Sequence, residues 1–340
     1  MSSIRDVASR AGVSVATVSR ALTGRGKVSA ATKATVQAAA RELGYVASVT
    51  ASSLASGRTR NIGIVMPTVG RWYYSSVLQA VASELNGAGY DLTLYTTEND
   101  EQFRHKIFAD FLLRKRLDAV ISVTLRPTDH ELRQLRKVGR PLLAVGGTIP
   151  GVATVRVDEV SIAELATEHL LSLGHRDIAF IGSPEVVDAD FQLTSSRERG
   201  YLRAMEAAGI TPPAEWRISA DFTTAVAYQR ARNILVNPRF KPTAFFCASD
   251  EMAFGAIMAA RDLGLSVPQD ISVIGIDGHE IGELFGLTTI AQFPAAQGSA
   301  AARKTLAMLG EIELESDPTE SFLPTEFVAR FSTAPPPAQK

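Results

Sequence analysis

Near the N-terminus, Ser14, Ala16, Thr17, Ser19 and Arg20 are the residues whose types and spacing could do chemistry. Residues of a helix advance by about 100° each. On a helix from Val15 to Leu22, the apolar Val18, Ala21 and Leu22 therefore share one face. Ala16 and Arg20, four apart, share the opposite face, with Thr17 and Ser19 on its flanks. That outer face offers a small residue, hydroxyls and one long bidentate donor. Arginine pairs with the edge of guanine, and serine or threonine bonds to phosphates or bases. This is chemistry suited to duplex DNA. The same face also reads as a solvated surface carrying one incidental arginine.

Other chemistries find no support in the residues. The single cysteine, Cys247, allows neither a disulfide framework nor a clustered thiolate metal site. His105, His130, His169, His175 and His279 lack metal-ligand spacing. His175-Arg176-Asp177 has the order of a kinase catalytic loop, but Gly182 stands where asparagine is required. Gly26-Lys27 is followed by Val28 instead of the serine or threonine of a phosphate loop. No Gly-x-Ser-x-Gly elbow occurs. The expectation is a binding protein with no catalytic residues, no metal and no cofactor.

The elements that position the outer face are three short helices. Ser3 with Asp6 caps the first, and Ile4, Val7, Ala8 and Ala11 follow at helical spacing until Gly12. Ser14 caps the second, and Thr23–Gly26 ends it. Ser29 caps a third, with Val36, Ala40 and Leu43 inward. Two helices joined by a tight turn and braced by a third is the helix-turn-helix plan. Residues 45–57 carry no charge and are rich in serine and β-branched residues. They read as a linker, or as a segment that folds only on a partner.

From Asn61 short apolar runs alternate with amphipathic helices. Strands are expected at 62–66, 91–95, 119–123, 142–145, 154–157, 178–181, 243–248 and 272–276, with helices at 76–87, 162–173, 197–208, 225–236 and 252–263. This alternation means parallel sheets covered on both faces, and the number of strands favours two lobes. The proline-rich tail from Thr333 is expected to be disordered. Residues 1–60 hold nine Lys or Arg against Asp6 and Glu42, a net of +7. The other 280 hold 26 against 34, a net of −8. A basic head on an acidic body leaves only the head to touch polyanions. Hydrophobic residues make up 46%, enough for a buried core. The longest charge-free stretch, Leu284–Ala302, contains Gln292, Pro294 and Gln297 and is too polar to span a bilayer. The N-terminus has no secretory signal, so a cytoplasmic, nucleoid-associated protein is expected.

Taken together, residues 4–24, Val28-Ser29 and Glu42–Tyr45 strongly resemble the lactose-repressor family of bacterial transcription regulators. The resemblance continues through Leu54, Gly57-Arg58-Thr59 and residues 62–66. It recurs at Leu173–Gly182, Arg197–Tyr201, Ala248–Gly255 and Val273–Asp277, covering about residues 4–330. It implies an all-α helix-turn-helix head (1–45), a hinge (46–60) and an α/β two-lobed body with parallel sheets, like periplasmic binding proteins (61–332). It places Val15, Ala16 and Arg20 on operator bases, Ser14, Thr17 and Ser19 on phosphates, and Leu54 as a wedge in the minor groove. The hinge departs from the pattern: Ala47-Ser48 stands where proline-asparagine is common, and no lysine or arginine lies between Arg41 and Arg58.

In the body the resemblance implies a ligand cleft between the lobes. It assigns Trp72, Tyr73, Tyr74 and Phe222 as aromatic cleft residues, and an aromatic face can stack on the apolar face of a sugar. The same aromatic run also reads as core or dimer packing. Arg197 and Asp277 match hydroxyl-binding positions, and also read as an interlobe ion pair. Ser249 and Gln292 match weaker polar positions, and Asp250 binds ligand or fixes its loop. The implied protein is a homodimeric repressor of a pseudopalindromic double-stranded operator, controlled by a small effector, a sugar by this reading. The tail lacks the heptad helix of family tetramers. The competing class is a sugar-binding or sugar-acting protein on the same fold.

Overall fold

The computed structural model describes residues 2–23, 27–45, 57–98, 100–114, 116–182, 193–237, 239, 241–316 and 319–337. The chain divides into two units: residues 1–61 with 116–118, and residues 62–115 with 119–340.

In the first unit, α1 (Ile4–Ala11), α2 (Val15–Thr23) and α3 (Ala30–Glu42) follow the predicted plan. Ser3 Oγ accepts from the Asp6 N–H while the Asp6 carboxylate accepts from the Ser3 N–H at 2.7 Å, a reciprocal cap. Gly12 ends α1 at φ +66°, a left-handed turn natural to glycine. Ser14 Oγ accepts from the Thr17 N–H at 3.1 Å, and Ser29 Oγ from the Thr32 N–H at 3.1 Å. Val7, Ala8, Val18, Ala21, Val36, Ala39 and Ala40 form the core. Arg10 bridges to Glu42, but solvent screens this pair. The apolar core therefore holds the three helices.

The second unit has two six-stranded sheets. The first runs β11-β5-β4-β3-β1-β2, built from β1 (Asn61–Met66), β2 (Asp91–Thr96), β3 (Ala119–Val123), β4 (Leu142–Val145), β5 (Ala153–Arg156) and β11 (Glu320–Phe322). The second runs β12-β10-β9-β8-β6-β7, from β6 (Ile178–Gly182), β7 (Arg217–Ser219), β8 (Ala244–Cys247), β9 (Ser272–Asp277), β10 (Thr288–Ala291) and β12 (Glu326–Val328). The central pairs are parallel, and β12 is antiparallel to β10. Helices α4 (Trp72–Gly87), α5 (Glu101–Lys106), α6 (Asp129–Lys137) and α12 (Pro294–Met308) belong to the first lobe. Helices α7 (Glu159–Ser172), α8 (Leu193–Ala207), α9 (Thr224–Leu235), α10 (Asp250–Asp262) and α11 (Gly282–Phe285) belong to the second. The chain therefore crosses between lobes three times: after β5, after β10, and between β11 and β12. Both sheets turn the carboxyl ends of their parallel strands toward these crossings, where ligands of such sheets bind.

The expected central strands are all present. The structure adds β7, β10, β11 and β12, and helices α5, α6, α11 and α12, which the reading of the sequence left unassigned. Strands β7, β11 and β12 have three residues each, too few to show alternation. Helix α12 has no polar face to reveal it, because Gln297, Gly298, Ala301, Ala302, Lys304, Thr305 and Leu306 are all buried. It lies so close to α4 that a Cβ on Gly298 would stand 2.4 Å from the Val77 carbonyl oxygen. Helix α4 begins at Trp72 instead of Ser76, so Trp72-Tyr73-Tyr74 form its first turn. Among the described residues no helix is long and apolar enough to cross a membrane.

The tail corrects the expectation of disorder as far as Pro337. The Ala334 N–H donates to Ser272 Oγ at 3.0 Å, and the Ala334 carbonyl oxygen lies 2.8 Å from His175 Nε2. His175 is buried, with Nδ1 2.9 Å from Thr243 Oγ1. Composition alone misled here: a proline-rich segment lacks periodicity, yet its carbonyls and the N–H groups it keeps can dock on a lobe. Burial holds the His175 and His169 pKa values below the ordinary range. Protonation therefore favours the unfolded chain. The stability these groups contribute is present above the unfolded histidine pKa and is lost as pH falls through it toward the folded values. His175→Ala should cost about 1–3 kcal/mol, because it strands buried partners. It should also flatten the loss of stability between about pH 7.5 and 5.5, as urea unfolding at both pH values would show.

Candidate functional site

In the head, α2 turns Val18 and Ala21 into the core and leaves Val15, Ala16 and Arg20 exposed, as the spacing requires. Ser14 is exposed, and its Oγ lies 2.9 Å from Thr17 Oγ1 at the N-terminus of α2. Thr17 and Ser19 are half-buried on the flanks. The face thus joins a guanidinium, two small or apolar contacts and three hydroxyls on one rigid helix. Leu54 lies outside the described residues.

In the body, the residues assigned to a cleft gather where the strands end. Arg197, on α8, is 2% exposed. Its Nε donates to Glu159 Oε2 at 2.7 Å, and another guanidinium nitrogen donates to the Ala248 carbonyl. Asp277 closes β9 at φ +145°, a strained position for a residue with a side chain. Its Oδ1 accepts from Gln292 Nε2 at 2.6 Å, and its Oδ2 accepts from the Asp250 N–H at 3.3 Å. Gln297 Nε2 donates to Gln292 Oε1 at 3.2 Å and to the Gln292 carbonyl at 2.8 Å, while Gln297 Oε1 accepts from the Tyr73 hydroxyl at 2.8 Å.

Asp250, at the start of α10, holds the turn that follows β9. Its carboxylate accepts from the His279 N–H at 2.8 Å and from Thr289 Oγ1 at 2.7 Å. A Cβ on Gly275 would sit 2.1 Å from Asp250 Oδ1, so only glycine lets that carboxylate lie over β9. Ser249 caps α10 by accepting from the Met252 N–H. Tyr74 stands beside the carboxyl end of β3, its hydroxyl accepting from Thr124 Oγ1 at 3.0 Å. Trp72 stacks on His279 across the lobes, with ring centroids 4.5 Å apart. Phe222, at φ +55°, lies under the Arg71 guanidinium, which also donates to the Asp221 carbonyl at 2.7 Å.

The electrostatics follow from burial. Burial pushes both the Asp250 and Asp277 carboxyls up, and the negative charge of Asp250 pushes Asp277 further against the pull of Arg197. Burial opposes the Arg197 charge, but Glu159 and Asp277 outweigh it and hold its pKa above the ordinary value. Burial and Glu159 raise the Tyr73 phenol, so it is a neutral donor. Such a site can offer hydroxyl donors, a fixed cation and carboxylate acceptors between flat rings. Among the described residues no group of three or more histidine, cysteine or acidic side chains is placed to hold a metal.

The sequence reading missed Glu159, Gln297, His279 and Arg71 as site residues. Glu159 follows the Asp158 cap at the first crossing, and an acid there was the available signal. Gln297 was noticed only as a polar interruption of an apolar stretch. His279 and Arg71 gain meaning only from a partner on the other lobe.

A helix-turn-helix head joined to a two-lobed α/β body with a buried polar cleft defines the class of ligand-responsive DNA-binding regulators. Comparison with known proteins agrees. Residues 3–48 match the family described as bacterial regulatory proteins, lacI family, and residues 167–333 match the periplasmic binding protein-like domain. The HTH-type transcriptional repressor PurR of Proteus mirabilis (strain HI4320) is 35% identical over 298 residues, 86% of each chain. The lac repressor dimer bound to operator and the anti-inducer ONPF is similar with a TM-score of 0.84 and 26% identity, covering 98% of this chain and 99% of that one. The transcriptional regulator CelR in complex with cellobiose has a TM-score of 0.69 and 27% identity, covering 98% and 100%. The chain belongs to the lacI family of bacterial regulatory proteins. It is a ligand-responsive, DNA-binding transcription repressor and not an enzyme.

The ion pair yields a stability prediction. Glu159→Ala leaves the Arg197 guanidinium buried without its carboxylate, and should destabilise the body by about 3–5 kcal/mol. The double replacement of Glu159 and Arg197 by apolar residues of similar volume should recover much of that loss. Denaturant midpoints of the three proteins measure both.

Proposed function

We propose that the chain is a homodimer that binds a pseudopalindromic operator with one head per half-site. The body, residues 61–332, holds the effector cleft, and residues 46–60 form the hinge between head and body. Two-fold symmetry in the protein calls for matching symmetry in the DNA. Val15, Ala16 and Arg20 read base edges; Ser14, Thr17 and Ser19 bind the phosphate backbone. Leu54 wedges a central base step. The repressor works on chromosomal DNA in the cytoplasm, associated with the nucleoid.

The effector is a small polyhydroxylated molecule, a sugar, bound in the cleft by Arg197, Asp277, Gln292, Tyr73 and the rings of Trp72 and Phe222. The observation that carries this reading is the meeting of a buried cation and a buried carboxylate at the strand ends, flanked by aromatic faces. The cellobiose complex of a related regulator supports the choice of a sugar. Stacking of Trp72 on His279 favours a second reading, a planar heterocycle such as a nucleobase, since the face of Trp72 already takes a flat nitrogen ring as its partner. A thermal-shift panel of sugars, sugar phosphates, nucleobases and nucleosides tests both, because a specific ligand raises stability by mass action. A hit must then change operator affinity in a retardation assay. A panel in which only heterocycles bind would replace the sugar.

Asp277→Ala should abolish the response of operator binding to that hit while leaving operator affinity without it near normal. In the head, Arg20→Ala should cost about 1–3 kcal/mol on the operator and relax one position per half-site. Titration against the operator and against random duplexes checks this, and equal weakening on both would reduce Arg20 to a phosphate contact.

A further inference from the structure

We infer that Gln297 is a positioning residue whose amide ties the two lobes together at the second crossing and sets how far the cleft stays closed. Gln297 is 1% exposed, where packing alone would be served by an apolar side chain. Its amide is accounted for by three hydrogen bonds that run in one direction. The Tyr73 hydroxyl donates to Gln297 Oε1; Gln297 Nε2 donates to the Gln292 carbonyl and to Gln292 Oε1; and Gln292 Nε2 donates to Asp277. Gln292 and Asp277 are also buried, so the steps from Gln297 through Gln292 to Asp277 are shielded from water, while Tyr73 at the start of the relay is half-buried. The relay begins on α4 of the first lobe and ends on β9 of the second.

It passes through the crossing itself. Gln292 follows β10, Gln297 lies in α12, and between them Phe293 is held at φ +50°, a left-handed conformation strained for phenylalanine. A rotation about this crossing has to break or re-form the Gln297–Gln292 bonds. Gln297 fixes which way the Gln292 amide faces: with Gln292 Oε1 accepting from Gln297 Nε2, Gln292 Nε2 is turned to Asp277. The same turn of α4 that carries Tyr73 carries Trp72, stacked on His279 of the second lobe. The relay and the stack therefore close the same gap, and Trp72 reports on the relay.

Trp72 and Trp216 are the only tryptophans. In a Trp216→Phe background, acrylamide quenching of the full-length, ligand-free protein reads exposure of Trp72 alone. Gln297→Leu should shift the ratio of open to closed cleft about two- to tenfold, the factor carried by one net hydrogen bond, and raise quenching accordingly. Tyr73→Phe, which removes one oxygen, should do the same and serves if Gln297→Leu does not fold. The double variant should add nothing further, because both act on one chain of bonds; independent loosening would add. Unchanged quenching in Gln297→Leu and Tyr73→Phe, or additive effects, overturns the inference. No effector or DNA enters this measurement, so its failure is separate from failure of the proposed function.

Discussion

A guanidinium taken out of water must find a carboxylate or the lobe that holds it is destabilised. The penalty for an isolated buried charge runs to several kcal/mol even after relaxation. Arg197 meets that demand through Glu159 and the Ala248 carbonyl. Glu159 can be there because the first crossing delivers α7 beside α8, with Asp158 capping its N-terminus. The course of the chain between lobes is thus tied to one charge pair. Around it, Asp277, Asp250 and their amide and hydroxyl donors form a second buried group whose carboxyls are pushed toward the neutral form.

This arrangement explains how a protein without catalytic chemistry can be a switch. Groups at the cleft are satisfied by each other: Tyr73 with Gln297 within the first lobe, and Trp72 with His279 and Arg71 with Asp221 across the two lobes. A ligand that offers the same groups better partners changes the relative energy of open and closed forms, and only such differential contact can shift an equilibrium. Strained backbone at Asp221, Phe222, Asp277 and Phe293 lies at the same strand ends and crossings. Strain of that kind persists only where the surrounding packing imposes it.

The head obeys simpler rules. Its core is seven small or branched side chains, and its helix starts are set by serine caps. Among its described residues, α1, α2 and α3 are held by caps within four residues and by packing on one another. The exposed face of α2 is free to be decided by what it must touch, and it carries hydroxyls and one arginine.

How much of this was legible in the sequence follows from the range of the forces involved. Caps, turns and helical stripes act within four residues, so Ser3, Gly12, Ser14, Ser29 and the inward Val18 could be read directly. Central strands such as residues 119–123 show as apolar runs because both faces are covered. Arg197 and Asp277 came through resemblance, and their residue types alone left an ion pair open. Tertiary structure decided that Arg197 pairs with Glu159, that Asp250 holds the turn after β9, that Trp72 faces His279, and that Gln297 joins Tyr73 to Gln292. Each of those contacts joins residues far apart in sequence or on different elements, and burial makes a polar group's partner a matter of position instead of composition. The tail makes the same point: its prolines signal no regular structure, while His175, more than 150 residues earlier, gives its backbone a place to bind.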